Sequence, residues 1–142
     1  PISDRSDPEA LAVAGLDPET LKDTGAEPAA AMAGLEAWLK EVTAPGHDPV
    51  FVGFPVAFDW MFVAYYFHRF LGRNPFGVSG LDIRSFYAGM TGVSWTRSQR
   101  AAIERAFQPR LKITHHALED AVAQGQVFEQ LLAYRSTMDM AR

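Results

Sequence analysis

Residues 49–54, Pro49-Val50-Phe51-Val52-Gly53-Phe54, are a short apolar run without alternation of polar and apolar side chains. A strand with one wet face alternates, whereas an unbroken run of this length suits a buried strand of a parallel sheet. Pro55 ends the run, and an apolar stretch follows at once from Val56 to Leu71, closed by Gly72. That stretch reads as a helix with a glycine stop. A strand feeding directly into an apolar helix is the unit from which α/β folds are built.

The rest of the chain fits the same pattern. Asp7-Pro8-Glu9 and Asp17-Pro18-Glu19 have the form of helix starts, with Asp as N-cap and Pro at the first helical position. Residues 29–42 place Met32, Leu35, Trp38, Leu39 and Val42 at helical spacing, and Ala44-Pro45-Gly46 stops them. A second short strand is expected over residues 78–81. Asp82 then caps a helix over 83–90, with Gly92 beyond its end. Residues 97–107 read as another helix, and Thr114 caps a last one from His115 to about Tyr134. Two short strands alone are seldom stable, since a sheet usually needs three or more. The reading therefore expects further strands ahead of this sequence, and a chain opening on Pro1 rather than Met is read as a fragment or a processed product.

Composition excludes several classes. At 142 residues the chain is one domain or part of one, and 48% hydrophobic content allows a packed core. No apolar run reaches the roughly 20 residues of a membrane span, and the longest is interrupted by Asp59. Without cysteine there are neither disulfides nor thiolate metal sites, which agrees with a cytoplasmic location. The net charge of −4 is uneven: residues 1–48 carry 10 acids against 3 Lys/Arg, and residues 49–142 carry 7 against 10. The basic excess gathers at Arg97, Arg100, Arg105, Arg110 and Lys112, which could meet phosphates or form a solvated helix face.

Two places carry chemistry. Asp59 lies in the first turn of the apolar helix with no basic neighbour until Arg69. A buried carboxylate without a partner is costly, so Asp59 must meet water, the helix N-terminus or a cation. Its position is also the carboxyl end of a strand, where open α/β sheets bind ligands. A first-turn acid that merely starts the helix stays open as the plainer role. In the last helix, His116, Glu119, Ala123, Gln126 and Gln130 form a mostly polar stripe. His115, Leu118, Val122 and Gly125 form an inward-leaning one, and Asp120 shares a stripe with Val127 and Leu131. His115 and Asp120 are thus the polar residues with apolar company. Tyr65, Tyr66, Phe67 and Phe70 are read as core or interface rather than as a base-stacking platform.

Together these segments resemble the DEDDh (DnaQ-like) 3′–5′ exonucleases of the RNase H-like superfamily. Phe58-Asp59 after a strand resembles the family's second motif. His115-His116-Ala117-Leu118-Glu119-Asp120 matches the third, H-x-A-L-x-D, with Leu81-Asp82-Ile83 lying between them. Ala14-Gly15-Leu16 resembles the loop after the family's third strand, where a substrate terminus docks. The departures are Pro55, where Asn is common, and the absence of a first D-x-E motif on a strand.

The resemblance implies an α/β, RNase H-like fold in which residues 1–142 form one exonuclease-like domain lacking its first three strands. It implies hydrolysis of the terminal phosphodiester at a DNA or RNA 3′ end, with two Mg²⁺ or Mn²⁺ ions as cofactors. Asp59 and Asp120 are the implied metal ligands and His115 the general base, giving His115, Asp120 and Asp59 as the catalytic set. Gly15, Leu16 and Phe58 are the implied substrate contacts. The expected partner is a single-stranded 3′ end, with a homodimer or a polymerase as the expected protein partner and no membrane. The alternative is an exonuclease-like module without catalytic competence that binds nucleic acid or protein, and a plain α/β domain with coincidental motifs is the third reading.

Overall fold

The computed structural model describes residues 7–15, 17–107 and 116–140. It opens on two short helices, α1 (Pro8–Ala14) and α2 (Pro18–Thr24). Both start as the Asp-Pro-Glu pattern dictates: the Asp7 carboxylate accepts from the Glu9 and Ala10 amides, and Asp17 from Glu19 and Thr20. The proline that follows each cap has no amide to leave unpaired. Gly15 ends α1 in the left-handed conformation, at φ 63°. The Ala14-Gly15 step therefore follows a helix, not the strand that the family likeness would put there. None of the described side chains of α1 or α2 is buried.

Helix α3 (Pro28–Val42) packs on α4 (Val56–Leu71). Of its apolar positions Leu39 is buried, while Trp38 and Val42 are more than half exposed. The two parallel strands, β1 (Phe51–Gly53) and β2 (Gly80–Asp82), pair with Phe51 opposite Gly80 and Gly53 opposite Asp82. The second strand thus lies later than the expected 78–81. Val78 is almost wholly exposed, and Gly77 turns the chain at φ 74°. Glycine at position 80 allows a close approach, because a Cβ there would stand 2.7 Å from Val56 Cγ2 and 3.1 Å from the Phe51 carbonyl oxygen.

After β2 come α5 (Ile83–Thr91), α6 (Arg100–Phe107) and α7 (Ala117–Met140). The core sits where these helices meet the end of β1, built from Phe54, Ile83, Ile103, Val127 and Leu131, with Val52, Phe86, Tyr87, Met90, Phe107 and Phe128 packed around them. A second packing centre surrounds Phe67, fully buried, with Phe76 edge-on to it and Phe51 edge-on to Phe76. Among the described residues the architecture is mostly helical around a small parallel sheet, as an α/β arrangement of limited sheet content. No helix among them is long and apolar enough to cross a membrane.

Two expected helices begin later than the periodicity suggests. Residues 95–97 form a 3₁₀ turn, and α6 starts only at Arg100. The cause is local bonding: the Arg84 guanidinium lies 3.7 Å over the Trp95 ring and donates to the Trp95 carbonyl at 2.6 Å. The fully buried Ser98 donates to the same carbonyl at 2.9 Å. That oxygen is engaged by side chains, which favours a separate turn over a continuous helix.

Helix α7 starts at Ala117, its first turn closed by the Asp120 amide donating to the His116 carbonyl at 2.9 Å. His116 therefore stands at the cap position, while Thr114 and His115 lie outside the described residues. The buried row of α7 is Ala123, Val127 and Leu131. This corrects the expected phase, since Ala123 was placed on the polar stripe while Leu118 and Val122, expected to lean inward, are exposed. The larger pair Val127 and Leu131 sets the phase by entering the core, and Ala123, one turn before Val127, is buried with them and lines a small cavity with Phe54 and Ile83.

Candidate functional site

Parallel pairing of β1 with β2 brings the starts of α4 and α5 side by side, because each helix leaves the carboxyl end of its strand. This is the edge of an α/β sheet at which ligands bind. An open cleft of about 460 Å³ runs along the length of β1 (Phe51, Val52, Gly53) and reaches the start of α5 at Ile83, with the first turns of α7 on its other side. Asp59 from α4 and Asp120 from α7 both line it. The two carboxylates singled out from sequence, far apart in the chain, thus face one cavity.

Small residues make the room. Gly53 forms the floor: a Cβ there would stand 3.1 Å from Val56 Cα and 3.6 Å from Asp59 Oδ2. Ala117, Ala121 and Gly125 lower the α7 wall, and Gln124 adds an amide to it. Gly53, Gln124 and the two alanines were not picked out from sequence. The signal available was glycine in a strand interior, which marks a close approach of backbone or ligand.

Asp59 is half-buried and has no hydrogen bond or ion pair to another side chain among the described residues. Burial is the dominant influence on its carboxyl and raises it above the ordinary carboxylate value, while its own backbone N–H pulls the other way. Asp120 is half-buried in the first turn of α7, where the helix dipole favours negative charge.

Asp82 behaves differently. Its Oδ1 accepts from the Ser85 amide and the Ser85 hydroxyl, both at 2.7 Å, capping α5. Its Oδ2 accepts from the Val56 amide of α4 at 3.0 Å. Burial works to raise this carboxyl, but the Val56 and Ser85 donors, with the nearby Arg84 charge, outweigh it and hold the group below its ordinary value. The cap on α5 was expected from sequence; the bond to Val56 was not.

The other expected site residues are placed as follows. His115 and Leu16 lie outside the described residues. Gly15 ends α1 and does not line the cleft. Phe58, 59% exposed, is edge-on to Phe62 at 5.5 Å on the outer face of α4, next to Asp59 but not lining the cleft. In the basic cluster, Arg100 is engaged by Glu104 at 2.9 Å, Arg97 and Arg105 are exposed, and Arg110 and Lys112 lie outside the described residues.

Hard divalent cations take oxygen ligands, which the two aspartates provide. The donor set fits such an ion in kind, but it is small: among the described residues no three His, Cys, Asp or Glu side chains gather as a metal site. The two stretches with D-x-E spacing, Asp7 to Glu9 and Asp17 to Glu19, are helix starts whose aspartates are engaged as caps.

Comparison with known proteins gives a close relative. Over 128 residues the chain is 41% identical to the 3′–5′ DNA exonuclease Cap18 of Escherichia coli, a match taking in 90% of this chain and 68% of that protein. No family model matches the chain.

Proposed function

Because the chain belongs to the 3′–5′ exonuclease family represented by that bacterial protein, we propose that it removes nucleotides from DNA 3′ ends at the cleft between β1 and α7. The observation that carries this reading is the convergence of Asp59 and Asp120 on one cavity beside β1. At about 460 Å³ the cavity is within the range of small-ligand sites, large enough for a terminal nucleotide.

In this reading the subtype is DEDDh and the implied ions are Mg²⁺ or Mn²⁺. When bound, such ions stabilise negative charge on the phosphoryl group and its attacking and leaving oxygens. Asp120 and Asp59, the two carboxylates that line the cleft, would help to hold them. Asp59 suits the task because it is ionisable, half-buried and, among the described residues, not committed to another side chain. His115 takes the proton from the attacking water, a role that imidazole fills because it titrates near neutrality. His116, at the cap of α7, is the neighbour that this assignment passes over.

The test is degradation of a 5′-labelled single-stranded DNA by the full polypeptide in Mn²⁺. The expected outcome is a ladder shortening from the 3′ end with release of nucleoside monophosphate, abolished by a chelator. Asp120→Ala lowers the rate by at least the roughly 10–100-fold that loss of a group supporting a metal ligand costs, and His115→Ala by about 10²–10⁴-fold. Near-normal rates in either variant, with the wild type active, refute the role given to that residue. DNA binding without cleavage by a folded wild type points instead to the module without catalytic competence.

A further inference from the structure

Helix α4 carries Asp59 but has no cap of its own. The residue at its N-cap position is Pro55, which makes no side-chain hydrogen bond to the helix. The first amides of a helix lack intrahelical acceptors, and a half-buried start without a substitute acceptor is unfavourable. Here the substitute comes from the next strand. Asp82 Oδ2 accepts from the Val56 amide at 3.0 Å, while Oδ1 of the same carboxylate caps α5 through Ser85. Strand register makes this possible, because Gly53 and Asp82 are directly paired at the ends of β1 and β2. One carboxylate therefore ties together the starts of α4 and α5, whose residues Asp59 and Ile83 line the cleft.

Resting on the reading of Asp59 as a functional group, the geometry points to Asp82 as a positioning residue that fixes the first turn of α4 and so holds Asp59 over Gly53. Only a side chain with two acceptor oxygens does this. An asparagine keeps one acceptor for the α5 cap but turns an NH₂ donor toward the Val56 amide, so Asp82→Asn severs the α4 tie selectively. Ser85→Ala is the complementary change, removing one of the two donors on the α5 side and leaving the Val56 bond intact.

Two measurements on the full polypeptide test this. The first is amide hydrogen exchange by NMR. Asp82→Asn speeds exchange at the start of α4, from Val56 to Asp59, by about tenfold or more, with the Phe67 end of α4 and the core row of α7 unchanged. Unaltered exchange at Val56, or equal acceleration everywhere, overturns the proposal whether or not the protein is active. The second is a double-mutant cycle on the rate of DNA degradation. Asp82→Asn costs about tenfold or more in the native background and under about twofold when Asp59→Ala is already present, while Ser85→Ala stays within about twofold. Equal losses in both backgrounds show a general structural role and also overturn it. If the wild type degrades no DNA, the proposed function fails, and the exchange measurement alone decides whether Asp82 holds the start of α4.

Discussion

Glu36 and Asp59 are both carboxylates withdrawn from water on helices that pack together, and the protein treats them in opposite ways. Glu36 on α3 is only 8% exposed, yet it is fully engaged. Arg73 grips it with two parallel bonds, Nε to Oε1 at 2.8 Å and Nη2 to Oε2 at 2.7 Å, and Lys40 stands 3.3 Å away. The Arg73 hydrogen bond dominates and brings the Glu36 carboxyl down to about 2. Asp59 is less buried, has no such partner among the described residues, and is shifted upward by that burial. Pairing of this kind joins α3 to the loop after α4 and contributes to the fold. An acid kept ionisable without a partner costs stability, and such sites are where function is found.

The comparison breaks most readily at Asp59. Asp59→Asn removes the burden of an ionised carboxylate in a half-buried place, so thermal stability at neutral pH rises or holds. DNA degradation falls by about 10–100-fold, as for the loss of a group that supports a metal centre. Thermal melting and rate measurements on one preparation check both halves. A fall in stability together with an unchanged rate would make Asp59 a helix-start residue and remove the contrast with Glu36.

Glu36→Gln is expected to do the reverse. It leaves the degradation rate within about twofold, since Glu36 does not line the cleft, and lowers the melting midpoint by several degrees because the Arg73 fork is lost. The pH dependence sharpens this. The carboxyl of Glu36 is depressed from 4.5 to about 2 in the folded chain. Its contribution to stability is therefore present above about pH 4.5 and is lost as pH falls toward 2. For Asp59 the sign is opposite, because a raised carboxyl makes the folded state less stable as pH rises above the ordinary aspartate value. Melting midpoints between pH 2 and 5 should fall less steeply with acid in Glu36→Gln than in the wild type. Parallel curves would show that the Arg73 pair adds nothing to the fold.

Much of the fold is legible because it is written locally. The Asp-Pro-Glu starts, the apolar run before Pro55 and the glycine stops at Gly72 and Gly92 each specify an element boundary from neighbouring residues alone. Asp59 and Asp120 were legible as polar residues in apolar company, and the structure places both on one cleft. What sequence did not reveal depends on contacts across the chain. The phase of α7 is not legible locally, because Ala123 is as compatible with a polar stripe as with a core, and only Val127 and Leu131 entering the core decide it. The late start of α6 follows from Arg84 reaching the Trp95 carbonyl. The second bond of Asp82 needs the register of β1 on β2, which no local pattern contains.

The smallest effects are expected where acidic spacing imitates a site. Asp7 to Glu9 and Asp17 to Glu19 have the D-x-E spacing that the proposed DEDDh subtype would call for in a first motif, but each aspartate spends its carboxylate on caps within its own helix. At Asp17 the Thr20 side chain is the main partner, with the Thr20 and Glu19 amides adding, and together they lower its carboxyl. A cap needs an acceptor rather than a charge, and asparagine caps helices about as well as aspartate. Asp7→Asn and Asp17→Asn, singly or together, should therefore leave DNA degradation within about twofold and melting nearly unchanged. A metal ligand would not tolerate that exchange, because a neutral amide oxygen is a much weaker donor to a hard cation. Loss of activity in either variant, with helix content preserved by circular dichroism, would move that aspartate from the class of Glu36 to the class of Asp59 and make this stretch part of the site.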